Sequence, residues 1–164
     1  MIFVTVGAQM PFDRLIRAVD RWAVETGRED VFAQIGDTTY RPRQIGHVDC
    51  LDSGEFRERV VRASAVVAHA GMGSILTALE LGKPILVMPR RGDLQETRND
   101  HQIATARQLE RQGRVMVAYD EGELTQKLNL LGETCPGQLI RPYASEELLS
   151  SIRQFILNGT AVAR

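Results

Sequence analysis

At 164 residues the chain has room for a single domain that would bury roughly two-thirds of its unfolded surface, enough for a sizeable core. Its 20 basic and 21 acidic residues nearly cancel, and no run of five like charges marks a tail. Nucleic acid and an anionic membrane surface are therefore excluded as expected partners.

From the N-terminus, Ile2 to Val6 is a short apolar run ended by Gly7, and Phe12, Leu15, Ile16, Val19 and Ala23 recur at helical spacing behind Pro11. This predicts strand, loop, helix. Val31 to Ile35 reads as a second strand, Gly36 to Pro42 as a polar turn, and Gln44 to Val48 as a short third strand. Asp52 and Glu55 suit a capping box that opens a helix running through Arg62. A buried strand, Ala65 to Ala68, leads through Gly71 and Gly73 into a helix opened by Ser74 and ended by Gly82 and Pro84. Ile85 to Met88 is the next strand. The polar loop Pro89 to Thr97 precedes a helix beginning near Asn99, whose buried face would carry Ile103, Ala106 and Leu109.

Val115 to Ala118 reads as the last parallel strand, and Asp120 with Glu123 offers a second capping box for a helix carrying Leu124, Leu128 and Leu131. Gly132 to Tyr143 looks irregular, and Ser145 caps a final helix with Leu148, Leu149, Ile152 and Ile156 on one face. Short apolar strands alternating with amphipathic helices predict a doubly wound, mainly parallel, Rossmann-like α/β sheet covered on both sides. Without a repeat or linker, residues 1–164 form one expected domain. Cys50 and Cys135 make no C-x-x-C pair and suit free thiols in a reducing cytoplasm. Met1 to Ala8 lacks a basic start and a cleavage site, and no apolar run approaches the ~20 residues that span a bilayer, so a soluble chain is expected.

The stretch from His69 through Gly71-Met72-Gly73-Ser74 to Pro84 carries the most chemistry. Glycine permits close backbone approach, and the free N–H groups and dipole of the following helix favour a diphosphate. The other reading is a strand-to-helix turn kept small for packing. Gly7 to Met10 also follows a strand and opens a helix, so two loops can face one ligand at the carboxyl edge of the sheet. Neither loop completes a G-x-G-x-x-G fingerprint, because Leu76 stands where a third glycine would fall, and Gly82-Lys83 precedes proline rather than completing a Walker motif.

Asn99 and Gln102 fit a capping box as well as a ligand contact, and His101 a solvated first-turn residue as well as a base. Arg90 and Arg91 read either as a solvated pair or as contacts to an anionic sugar or phosphate. His69 reads as a residue that orders its loop. His47, His69 and His101 lack metal-ligand spacing, so no metal is expected.

Taken together, Val4-Thr-Val-Gly7, Gln34-Ile-Gly36, His69-Ala-Gly-Met-Gly-Ser74, Gly82-Lys-Pro84 and Asn99-Asp-His-Gln102 resemble the C-terminal half of glycosyltransferase family 28, over Met1 to about Leu131. The resemblance is to small catalytic subunits of split transferases, both the eukaryotic dolichol-linked N-acetylglucosaminyl type and bacterial capsule or exopolysaccharide counterparts. It implies half of a GT-B fold that holds a UDP-sugar without a cofactor, while a membrane-associated partner holds the lipid acceptor. It further implies that Gly71, Gly73 and Ser74 approach the diphosphate, that Gly7 faces them, and that Gln102 contacts the donor sugar. Many relatives carry an acidic ribose-binding residue where this chain has Thr77, whose hydroxyl can bond in its place.

The donor-binding set is thus Gly7, Gly71, Met72, Gly73, Ser74, Thr77, Arg90, Asn99, His101 and Gln102, with no general base or metal ligand. The expected function is donor binding in a two-component inverting transferase that moves sugar to a polyprenyl-diphosphate-linked acceptor at the cytoplasmic face of the membrane. A homodimer is expected when the partner is absent. The alternatives are a non-catalytic partner that stabilises a complete transferase, and a GT-B sugar-nucleotide epimerase.

Overall fold

The computed structural model describes residues 1–8, 10–131, 139–140 and 143–157. Six strands form one sheet: β1 (Ile2–Thr5), β2 (Val31–Gln34), β3 (Gly46–Val48), β4 (Ala65–His69), β5 (Ile85–Met88) and β6 (Met116–Val117). Every pairing is parallel and the spatial order is β3-β2-β1-β4-β5-β6, a doubly wound arrangement. Six helices accompany it: α1 (Asp13–Thr26), α2 (Ser53–Arg62), α3 (Met72–Glu80), α4 (His101–Arg111), α5 (Glu121–Leu130) and α6 (Glu146–Leu157).

The four central strands, β1, β2, β4 and β5, are almost wholly apolar because both faces of the sheet are covered, their polar residues standing at the carboxyl ends. Ile2, Val4, Val31, Ala33, Val67, Leu86 and Met88 pack with Leu15, Val19 and Trp22 of α1 and Leu124 and Leu128 of α5. Phe3, Val66, Ala68, Ile85 and Val87 pack on the other face with Val60 of α2, Ile75, Ala78 and Leu79 of α3, and Ala106 of α4. Trp22 satisfies its indole N–H on Asn129 Oδ1 at 2.7 Å, which ties α1 to α5 without an unpaired buried donor.

Local chemistry accounts for most boundaries. Gly27 ends α1 at φ 66°, a left-handed conformation that costs a glycine little. The capping box of α2 is closed in both directions: Asp52 Oδ1 accepts from Glu55 N at 2.8 Å, and Glu55 Oε2 accepts from Asp52 N at 3.1 Å. At α5 only half of the predicted box forms. Asp120 Oδ1 accepts from Glu123 N, but the Glu123 carboxylate reaches back to Tyr119 N instead.

Three further differences concern helices. Met72 already lies in the first turn of α3 and Gly71 is its N-cap, so Ser74 stands at the third helical position rather than opening the helix. On α4, Ala106 is fully buried, but Ile103 and Leu109 are only half-buried. Ser145 Oγ accepts from Leu148 N at 3.2 Å as expected for the cap of α6, yet no residue of α6 is buried. Leu148, Ile152 and Ile156 stay 51%, 46% and 69% exposed. Cys50 is an exposed free thiol; Cys135 and most of 132–143 lie outside the described residues.

The β2–β3 connection is held by one buried carboxylate on α1. Asp20, 3% exposed, accepts from the backbone N–H of Arg43 (3.0 Å), Gln44 (2.9 Å) and Ile45 (3.3 Å) and from Tyr40 Oη (2.8 Å). Burial alone would raise its pKa, but these donors outweigh burial and hold it below the ordinary carboxylate range. Asp20→Ala leaves several buried N–H groups without an acceptor, so it should cost about 2–4 kcal/mol in urea unfolding at neutral pH. A loss under about 0.5 kcal/mol would show that the connection holds itself.

Candidate functional site

Strands β1 and β4 are neighbours in register, yet the chain leaves them toward opposite faces of the sheet, into α1 on one side and α3 on the other. Such a divergence opens a crevice at the carboxyl edge, which is where ligands enter open α/β sheets. Here it is a cleft of about 610 Å³ lined by the β1 loop (Gly7, Met10), the start of α3 (Gly71, Gly73, Ser74, Thr77), and Gln34, Arg90, His101 and Gln102. Leu51 and Phe56 form an apolar wall at its β3 side.

His69, the last residue of β4, sets the spacing between the two loops. A Cβ on Gly7 would sit 2.6 Å from its Cε1, and one on Gly71 would sit 2.1 Å from its Nε2. Both glycines are therefore needed by the protein's own packing, and Gly7 also holds φ +78°. Gly73 differs, because an added Cβ meets nothing within 4 Å among the described residues. No neighbour among the described residues accounts for its lack of a side chain.

Burial, reinforced by the nearby Arg90 guanidinium, lowers the His69 pKa to about 4, against a smaller opposing effect of the Thr5 carbonyl. That carbonyl falls short of a hydrogen bond, so Nδ1 is buried without a partner. The imidazole is neutral at neutral pH.

The first turn of α3 supplies the donors. Its N-cap is Gly71, which has no side chain to cap with, so the backbone N–H groups of Met72, Gly73 and Ser74 have no acceptor within the helix. Together with the helix dipole, worth roughly half a positive charge, they make an anion site. The Ser74 hydroxyl, 7% exposed, lines the cleft and makes no hydrogen bond among the described residues. Thr77 Oγ1 donates to Gly73 O at 2.9 Å, so toward a ligand it can only accept, as from a ribose hydroxyl. Asp52, the one carboxylate on the cleft wall among the described residues, is engaged in the cap of α2.

Of the sequence-predicted residues, Gly7, Gly71, Gly73, Ser74, Thr77, Arg90, His101 and Gln102 line this cleft. Met72 and Asn99 do not: the Met72 side chain is 45% exposed and offers only its backbone N–H. The capping box of Asn99 and Gln102 does not form. Asn99 Oδ1 instead accepts from His101 N and touches His101 Nδ1, and the N-cap position falls to Asp100, whose carboxylate accepts from Gly92 N. Gln102, 7% exposed, uses Oε1 to accept from Arg90 N at 3.1 Å, which leaves its N–H pair facing the cleft.

Arg90 is not a solvated residue: it lines the cleft with both terminal nitrogens committed to the protein. At 4% exposure it donates to the carbonyls of Val6 (2.9 Å), Met10 (2.5 Å), Pro11 (2.6 Å) and Glu96 (3.3 Å), pinning the β1 loop to the β5 loop. Arg14 reinforces the same junction through a bidentate pair with Glu96 at 2.7 and 2.9 Å. Arg91 lies at the surface and pairs with Asp93.

Sequence reasoning missed Gln34 as a site residue. The signal available was a polar residue at the end of a strand otherwise apolar on both faces.

Fold and cleft together define a Rossmann-like domain of the kind that makes up one half of a GT-B glycosyltransferase. Residues 1–133 match the glycosyltransferase family 28 C-terminal domain, and the chain belongs to that family. Human UDP-N-acetylglucosamine transferase subunit ALG13 (Homo sapiens) is 32% identical over 147 residues, which cover 84% of this chain and 12% of the human protein. In fold, the solution structure of ALG13 agrees with a TM-score of 0.59 at 18% identity, over 92% of this chain and 93% of that one. The glycotransferase of kitacinnamycin agrees at 0.61 and 17% identity, over 81% of this chain but only 35% of the larger one.

Two outcomes follow for the glycine–histidine arrangement. Gly71→Ala forces the imidazole to move and should destabilise by about 1–3 kcal/mol, whereas Gly73→Ala should be neutral or stabilise by up to about 1 kcal/mol. Equal effects in thermal unfolding would contradict this spacing. Because the unfolded chain protonates its histidine near 6.5 and the folded chain only near 4, stability should fall as pH drops from about 6.5 to 4, by on the order of 3 kcal/mol from His69. His69→Asn should flatten that slope; a slope unchanged in the variant would rule His69 out as its source.

Proposed function

We propose that this chain is the donor-binding part of a two-component inverting glycosyltransferase that takes a UDP-sugar. The observation that carries this reading is the uncapped first turn of α3, opening into a cleft with no uncommitted carboxylate on its described walls. The diphosphate would lie on the N–H groups of Met72, Gly73 and Ser74, with the Ser74 hydroxyl beside them. Gly73 would be bare because the ligand, not the protein, occupies the space of its side chain. The sugar would extend toward Gln102 and His101, and the flat base toward Leu51 and Phe56.

As the glycosidic bond to the diphosphate breaks, negative charge grows on the leaving oxygens. Donors already fixed by the fold meet that charge without reorganising, which is how such sites lower a barrier. The acceptor hydroxyl must lose its proton to a base. His69 is buried and neutral under the loops, and we assign that base to the partner chain. The name of the human relative calls it a subunit of a UDP-N-acetylglucosamine transferase, which supports work in a pair. The unburied apolar residues of α6 support it too, since an isolated helix of this kind gains little by standing free.

The partner would be membrane-associated and present a polyprenyl-diphosphate-linked saccharide at the cytoplasmic face, in exopolysaccharide or capsule synthesis; alone, the chain would pair with itself.

Calorimetry of the full chain should show saturable binding of UDP. Ser74→Ala should weaken it about three- to tenfold, and Gly73→Leu should abolish it while leaving the fold intact. With the partner present, Gln102→Ala should lower sugar transfer at least tenfold. Full transfer by the Ser74 and Gln102 variants, or no UDP binding by the unmodified chain, would overturn the reading in favour of a non-catalytic stabilising role.

A further inference from the structure

Two buried glutamines, Gln34 and Gln102, line the cleft. Gln34 ends β2, in register with Thr5 of β1 and Val48 of β3, on the side of the apolar wall. It is 3% exposed, an unusual depth for a carboxamide, and it lines the cavity.

Its orientation is fixed by a short relay. The backbone N–H of Gly7 donates to Thr5 Oγ1 at 3.1 Å, and Thr5, fully buried, donates its only hydroxyl hydrogen to Gln34 Oε1 at 3.2 Å. The oxygen end of the amide is thereby tied to the protein. Gln34 Nε2 has no hydrogen-bond partner among the described residues, so its N–H pair is left for whatever fills the cleft. The nitrogen opens onto the cleft, so a ligand oxygen there would meet a donor that the fold has already oriented. Gln102 has the same design, with Oε1 tied to Arg90 N and the nitrogen presented.

We propose that Gln34 is a specificity-determining residue: its oriented N–H pair donates to an acceptor oxygen of the bound nucleotide diphosphate. This rests on the UDP-sugar reading of the cleft. Because the Gly7 loop and the Gln34 amide share the Thr5 hydroxyl, the loop that closes one side of the site also sets which end of the amide the ligand meets.

The test replaces the donor by an acceptor of the same shape. Gln34→Glu keeps an oxygen for Thr5 but turns a carboxylate oxygen toward the ligand. In calorimetry with UDP at pH 7.5 it should bind at least tenfold more weakly than the unmodified chain. Lowering the pH to 5 should narrow that gap, since burial raises a carboxyl's pKa and the protonated acid regains a donor. Gln34→Met, which keeps the shape without charge or donors, should bind three- to tenfold more weakly at both pH values and covers the case in which the glutamate variant does not fold. Binding of UDP by Gln34→Met within twofold of the unmodified chain would overturn the proposal, and so would a Gln34→Glu deficit that pH leaves unchanged.

Uridine and inorganic pyrophosphate, titrated separately, locate the oxygen: a Gln34→Met deficit seen with pyrophosphate puts it on the phosphates, and one confined to uridine puts it on the nucleoside. Failure of the unmodified chain to bind UDP would remove the underlying reading, whereas normal UDP binding that ignores Gln34 removes only this inference.

Discussion

Two strands that lie side by side at the centre of the sheet send their chains to opposite faces, and this divergence is the constraint on which the rest depends. It leaves an opening above β1 and β4 that side chains of α1 and α3 do not fill. The His69 ring occupies the floor of that opening and keeps the two loops apart, at the cost of side chains on both Gly7 and Gly71. Without the ring, the loops would be free to collapse onto each other, and the first turn of α3 would have no empty space in front of it.

Around this opening the protein leaves backbone and amide donors unmatched while matching nearly everything else. Arg90 is surrounded by carbonyls, Asp20 by N–H groups, and Arg14 by Glu96, so the charged groups near the cleft are committed to holding loops. Most of what remains facing inward among the described residues is neutral and donating: the N–H groups of Met72, Gly73 and Ser74, and the amide nitrogens of Gln34 and Gln102, with the Ser74 and Thr77 hydroxyls beside them. A neutral donor set of fixed geometry suits an anion that must arrive, change charge and leave, because donors in water-poor surroundings need no counter-ion of their own.

Much of this was legible in the chain. The doubly wound sheet follows from strands apolar on both faces, and the α2 boundary from Asp52 and Glu55, because those signals act locally. The positions that departed from expectation depend on residues far away in sequence. Arg90 reads as a surface arginine until Val6, Met10 and Pro11 fold against it. Asn99 and Gln102 have capping-box spacing, but Gln102 gains more by turning inward to Arg90 N, leaving Asn99 to His101. Gln34 reads as part of the second strand and of the Gln34-Ile-Gly36 motif but not as a site residue, since nothing in Val31 to Ile35 reveals that Thr5 would take its oxygen. At α6 the apolar periodicity is present, but periodicity alone does not supply a surface to cover it.

Where uridine diphosphate settles on this domain is the decisive question, and amide chemical shifts of the isotope-labelled chain report it directly. On titration with UDP the largest changes should fall on the backbone N–H signals of Met72, Gly73 and Ser74 and on the side-chain amide of Gln34. Changes confined to the separate groove between α1 and α5, near Arg17, Arg21 and Thr125, would contradict it.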